Sequence, residues 1–426
     1  MVRHRLSPLA CLCYPLGIVR RTGITQSLQL RAMGTTTLVK MSSWRRAYSL
    51  MALTVVLVTT VPLGSLGARN EPLHQSSSDY ILGHKSVKIR FHWWLNRIYL
   101  PVRIDKSHLW FAFDTGASDV IDSRVAKILG LRRMGSETIL FPHQFQSCDD
   151  TTLDHLDIYN LGLDGQNFLI CDLYNYQFLE GHQFDGLLGA DFAKYFVIKV
   201  DYIRSRMTFY DPRHYRNRGD GELVSLTFDR GRYFADTRVE DANGKSEVFR
   251  CMIDTGTEFT TIPASALKES GPAIRDFGRL PKIQLGRFTV LDEFAHLGTE
   301  FGVCAIGQQT LEHFDVTFDF AQKQMFLSPN KRFAMRDEYE MSGALWKART
   351  TDFHSFEAYK VYPGTPAANA GVQVGDELIA VDGKPASQFT MQDLWKEFSE
   401  EGRTCELTVK RGMQIIKLKI TLKILI

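Results

Sequence analysis

The sequence lacks the markers of several common function classes. It contains no Gly-rich phosphate-cradling loop, no paired-histidine metal motif and no Gly-x-Ser-x-Gly elbow, and these are the signatures of P-loop, zinc-peptidase and serine-hydrolase chemistry. Its 12 histidines are scattered and read as surface or packing residues, so neither metal nor cofactor is expected. No basic block argues for nucleic acid. The formal charge of +3 comes from residues 1–68, which hold eight Lys or Arg and no Asp or Glu, whereas the remainder carries 43 basic against 48 acidic residues.

Cysteine is scarce, and the spacing of the seven forms neither a disulfide framework nor a zinc site. Two, Cys11 and Cys13, fall in the N-terminal segment. Cys251 and Cys304 stand in apolar runs and are expected as buried thiols packing as small hydrophobes; a Cys148–Cys171 bridge is an open alternative. Long apolar runs are also missing. The longest, Leu50–Val61, has twelve residues, too few for a comfortable membrane span. With Arg45-Arg46 before it and the small residues Gly64–Ala68 after it, it reads as a secretory signal. An uncleaved anchor and an organelle transit peptide are the alternatives, and Met41 is a candidate initiator. The chain is thus expected to be exported to the periplasm or cell envelope, meeting a membrane only if this segment stays uncleaved.

What is present is a repeat. An apolar strand runs into Asp114-Thr115-Gly116-Ala117, and a second runs into Asp254-Thr255-Gly256-Thr257. Each is preceded by a hairpin pattern, with turns at Asp105–Ser107 and Asn243-Gly244. Downstream, Leu187-Leu188-Gly189 corresponds to Ala305-Ile306-Gly307. At a constant offset of 118, Phe196, Asp201 and Met207 meet Phe314, Asp319 and Met325.

Two Asp-Thr-Gly turns, each followed by a hydrophobic-hydrophobic-Gly segment, resemble the aspartic peptidases of the pepsin and retropepsin clan. The details are most similar to bacterial single-chain, retropepsin-like proteins with a C-terminal PDZ domain. The resemblance implies a mainly β chain of two pseudo-symmetric lobes. Residues 1–68 would be leader, 69–84 linker, 85–215 the first lobe, 216–331 the second and 332–340 a charged linker. Asp114 and Asp254 would form the catalytic dyad. Thr115 and Thr255 would bond across to the opposite turn, and Gly116 and Gly256 would let the backbone turn tightly beneath the carboxylates. Thr257 would offer a hydroxyl to the outer carboxylate oxygen, where Ala117 cannot. Leu188, Gly189, Ile306 and Gly307 would pack beneath the turns.

Two carboxyls about 3 Å apart share one proton. One can accept a proton from water while the other protonates a peptide carbonyl. Peptide or protein is therefore the expected substrate; a catalytically silent peptide-binding protein that keeps the fold is the alternative. Asp114 to Gly189 spans 75 residues and Asp254 to Gly307 only 53. The 22 extra fall between Gly130 and Leu161, so Arg132–Asp157 is expected to hold the flap or its replacement. Short helices are expected at Asp122–Gly130 and Pro263–Gly271.

Residues 341–426 change to an α/β pattern. Pro363–Gly371 followed by Val372–Pro385 is similar to the PDZ domains of bacterial envelope proteases, with Met391–Glu400 as the helix beside the peptide groove. Such a domain adds a peptide to a sheet edge and captures its terminal carboxylate. The capturing loop is expected around Thr351–Phe356, which lacks the usual glycine, so a packing or regulatory role stands beside peptide recognition.

Overall fold

The computed structural model describes residues 85–141, 144–219, 221–241, 243–263, 277–298 and 304–425. The leader, the 69–84 linker and all but the first residue of the helix expected at Pro263–Gly271 lie outside the described residues.

The repeat in the sequence is a repeat in space. The first lobe is an eight-stranded sheet ordered His92–Trp94, Arg97–Ile104, Ser107–Phe113, Gly186–Leu188, Val120–Asp122, Leu161–Cys171, Gln144–Ile158, Ser136–Phe141. The second is ordered Thr227–Asp229, Arg232–Glu240, Ser246–Ile253, Cys304–Ile306, Thr260–Pro263, Phe288–Gly298, Phe277–Leu285. Position for position, seven strands coincide. The extra strand of the first lobe, Ser136–Phe141, pairs antiparallel with the start of Gln144–Ile158. The 22-residue excess therefore forms a β-hairpin whose tip lies outside the described residues.

Local chemistry places the turns. Asp105, at φ 53°, closes the hairpin into the strand Ser107–Phe113, and Gly244, at φ 78°, closes the equivalent hairpin in the second lobe. The helix Ser123–Ile128 starts where Asp122 accepts a hydrogen bond from Arg124 N at 2.8 Å and is followed by Gly130 at φ +65°.

A third sheet fastens the lobes together. Its order is Ser86–Arg90, Arg206–Tyr210, Val197–Asp201, Phe314–Asp319, Gln324–Pro329, Glu222–Ser225, three strands from each lobe. At its centre Val197–Val200 pair antiparallel with Val316–Asp319. Phe196, Phe314, Met207 and Met325, matched at the offset of 118, are all fully buried in one core that runs through both lobes.

The C-terminal domain is a sheet ordered Ala344–Ala348, Phe356–Val361, Glu377–Val381, Thr404–Arg411, Gln414–Thr421, with helices Pro366–Ala370 and Met391–Glu397. Thr390 and Asp393 form a capping box at the second helix. The charged stretch Arg332–Glu340 joins it to the second lobe as a packed segment. Tyr339 stacks on Phe294 at 4.2 Å between ring centroids, and His313 bonds Asp337 at 2.9 Å. The apolar core of the C-terminal domain continues through Tyr339 to Phe259 and Phe294 of the second lobe and to Trp94 and Tyr99 of the first. Among the described residues no helix is long and apolar enough to cross a membrane.

The cysteines correct one expectation. Cys148–Cys171 is a disulfide, and so is Cys251–Cys304, which was expected as two thiols. The parallel pairing of Ser246–Ile253 with Cys304–Ile306 sets these two residues directly opposite each other. Partners 53 residues apart meet only once that pairing exists. Among the described residues Cys405 is the free cysteine, and it is buried.

Candidate active site

Each Asp-Thr-Gly turn sits where a strand leaves its sheet. Asp114 N donates to Leu188 O at 2.9 Å and Asp254 N to Ile306 O at 3.0 Å, so the hydrophobic-hydrophobic-Gly segments hold the turns from beneath. Gly189 and Gly307 are needed because a Cβ there would lie 2.4 Å from Ala117 O and Phe259 O respectively.

The two turns are tied by crossed bonds. Thr115 Oγ1 donates to Ile253 O at 2.7 Å and accepts from Thr255 N at 3.1 Å. Thr255 Oγ1 donates to Phe113 O at 2.8 Å and accepts from Thr115 N at 3.0 Å. Gly116 N donates to Asp114 Oδ1 and Gly256 N to Asp254 Oδ1, both at 2.9 Å. Neither glycine needs positive φ; each is required for room. A Cβ on Gly116 would lie 2.4 Å from Asp254 Cγ, and one on Gly256 would lie 2.0 Å from Asp114 Cγ. Each carboxyl thus rests on the glycine of the opposite turn.

Asp114 and Asp254 are fully buried, and each Oδ2 lacks a hydrogen-bond partner among the described residues. Asp114 is held well above the usual carboxylate range, first by burial and then by the charge of Asp254 and a hydrogen bond to it. Asp254 is also raised by burial, with Gly256 N, the bond to Asp114 and the charges of Arg232 and Arg97 pulling the other way. Facing carboxyls in a buried site retain one proton between them.

Residues 100–192 match the aspartyl protease family model, and residues 357–411 match the PDZ domain model. The chain carries an aspartyl protease domain and a PDZ domain. No curated protein matches it. Among solved structures it is similar to the aspartic proteinase from Irpex lacteus, with a TM-score of 0.45 and 12% identity, covering 59% of this chain and 99% of that one.

Thr257 departs from expectation. Its hydroxyl donates to Phe259 O at 3.3 Å and not to Asp254, because its side chain is turned toward Gly307, where its Cγ2 lies 3.0 Å from the place a Cβ would take. Four supporting residues of the protease domain escaped the sequence reading. Arg97 Nε donates to Gly256 O at 3.1 Å and Arg232 Nε to Gly116 O at 2.5 Å, one cation on each turn. Each is the first residue of its strand, Arg97–Ile104 or Arg232–Glu240, and this repeated position was the available signal. Gln308 Nε2 donates to Thr255 O at 2.9 Å. Buried Asp119 accepts from Gly189 N at 2.6 Å and Phe192 N at 3.2 Å; burial, then the charge of Asp191, lifts it to about 7. Among the described residues no group of three His, Cys, Asp or Glu is placed to hold a metal.

The PDZ groove is also not where it was expected. Phe356–Val361 is an interior strand, paired on both sides, and cannot receive a peptide. The edge strand beside the helix Met391–Glu397 is Ala344–Ala348. Its leading loop is Met341–Gly343, with Gly343 at φ +73°. That loop already holds a carboxylate: Glu340 accepts from Ser342 N at 2.8 Å and Gly343 N at 3.0 Å.

Proposed function

We propose that the protein is an exported aspartic endopeptidase in which Asp114 and Asp254 activate a water between them, with the PDZ domain serving recognition or regulation. The observation that carries this reading is the pair of buried carboxyls, each seated on the glycine of the opposite turn and each with an Oδ2 that has no partner among the described residues.

The chemistry follows from the shared proton. The ionised member takes a proton from water as the oxygen attacks the peptide carbon, and the protonated member donates to the carbonyl oxygen. Burial raises both carboxyls, so one proton is retained by the pair at a pH where a free carboxyl would be ionised. The crossed threonine bonds hold the carboxyls in register, so little reorganisation is needed as charge moves. The hairpin Ser136–Phe141 with Gln144–Ile158 is the closing flap, and Cys148–Cys171 fastens its base to the next strand. Two disulfides fit an oxidising, extracytoplasmic compartment.

The test is cleavage of a peptide library by the purified protein from about pH 3 to 8, beside Asp254→Asn. Cleavage lost in the variant supports the dyad. A folded protein that cleaves nothing across this range overturns the enzymatic reading in favour of peptide binding alone.

A further inference from the structure

A cavity of about 110 Å³ lies where the PDZ domain meets the protease lobes. Leu95, Phe259 and Phe277 form its wall on the protease side, and Leu345, Trp346 and Trp395 form the wall on the PDZ side. It starts at the catalytic turn of the second lobe. Glu258, four residues past Asp254, lines it, and so does Arg97, the residue that bonds Gly256 O.

Two features show what this space can hold. Trp346 is only 6% exposed, and its Nε1 has no partner among the described residues. A buried donor without an acceptor is costly, and it stands in a residue that lines the cavity. Glu258, 7% exposed, is lifted by burial to about 8 despite the opposing charge of Arg97. Burial favours its protonated form, which can both donate to and accept from a peptide backbone. Arg97, His296, Glu340 and Tyr362 add polar groups, and the rest of the wall is apolar; a dry cavity of about 150 Å³ accommodates benzene, so the apolar part of this one suits a branched aliphatic side chain.

The groove is closed to a free C-terminus. Glu340 already occupies the N–H groups of Ser342 and Gly343, and the protease helix Tyr176–Glu180 packs against the edge strand Ala344–Ala348.

We propose that this cavity is a substrate subsite that takes one bulky apolar side chain from the interior of a polypeptide lying in the catalytic cleft, with the PDZ domain as its outer wall. The assignment rests on the endopeptidase reading. It makes the PDZ domain part of the specificity pocket and not a separate reader of chain ends.

The test uses the whole protein and ten-residue peptides in which Leu replaces Ala at one position at a time. Wild type should prefer Leu by about tenfold or more at one position, the scale expected for burying such a side chain. Leu345→Trp, which fills the cavity, should bring that ratio to within about threefold, chiefly through KM. A Leu345→Trp protein with wild-type Tm and an unchanged Leu/Ala ratio at every position overturns the proposal. So does tighter binding of a peptide whose Leu is the C-terminal residue than of one whose Leu is internal. If wild type cleaves no peptide, the endopeptidase reading fails separately, and binding of the same Leu and Ala peptides is read calorimetrically. A Leu preference present in wild type and absent in Leu345→Trp supports the subsite, and equal binding overturns it.

Discussion

Replacing Thr255 with valine keeps the branched shape and deletes one hydroxyl. That hydroxyl serves two buried groups, donating to Phe113 O at 2.8 Å and accepting from Thr115 N at 3.0 Å. Valine leaves a carbonyl and an amide unpaired where water is excluded. Each such group costs about 1–3 kcal/mol, so the loss should be about 2–6 kcal/mol. Thr255→Ser keeps both bonds and sheds one methyl group, for about 1 kcal/mol. Urea unfolding at neutral pH, compared at equal m, reads the difference as a shift in midpoint. Thr115→Val should behave alike, since its bonds to Ile253 O and Thr255 N mirror the first pair. Because all four bonds close one ring, the double variant should fall short of the sum of the singles by about 0.5–3 kcal/mol. A Thr255→Val protein no less stable than Thr255→Ser would refute the reasoning, as the hydroxyl would then contribute nothing to joining the turns.

Three further outcomes follow from the same structure. Asp114 binds its proton more tightly folded than unfolded, so its contribution favours the fold at low pH and is lost as pH rises above the unfolded value of about 3.9; Asp114→Asn should therefore gain stability relative to wild type from pH 4 toward neutrality, measured by Tm, while losing peptidase activity. His313 is lowered by burial, but the hydrogen bond and charge of Asp337 outweigh this and raise it to about 8; about 2 kcal/mol should be present below pH 6.5 and disappear as pH rises through about 8, a slope that His313→Gln should abolish. Replacing Cys251 and Cys304 by alanine opens a 53-residue loop and should cost about 4 kcal/mol, and thiol alkylation of the unfolded, unreduced protein should label Cys405 but none of Cys148, Cys171, Cys251 and Cys304.

The parts legible in the sequence were those written twice or written locally. The Asp-Thr-Gly turns, the hairpins before them and the offset of 118 are local patterns repeated in order, and the two lobes and the place of the first-lobe insertion follow from them, whereas the shared sheet does not. Partnerships across long separations were not legible. Arg97 and Arg232 act on turns 159 and 116 residues away, and nothing beside an isolated arginine marks its acceptor. Cys251 and Cys304 looked like ordinary core residues because only the parallel strand pairing brings them together. Glu340 sat in a stretch whose charge suggested a solvated linker, yet its carboxylate fills the PDZ loop. The groove strand was misplaced for a related reason: Ala344–Ala348 and Phe356–Val361 both read as strands, and only the sheet order shows which one is the edge.

The shared six-stranded sheet has a consequence for the integrity of the particle. The exposed stretch Arg216–Gly219 joins the lobes, and it is the kind of tip that proteases nick. Severing it would break one covalent link and none of the ladder between Val197–Val200 and Val316–Asp319. The halves would stay associated, as two subunits of an intimate dimer do. Either half made alone would instead present an apolar strand edge from the middle of that sheet, inviting self-association in place of the missing partner.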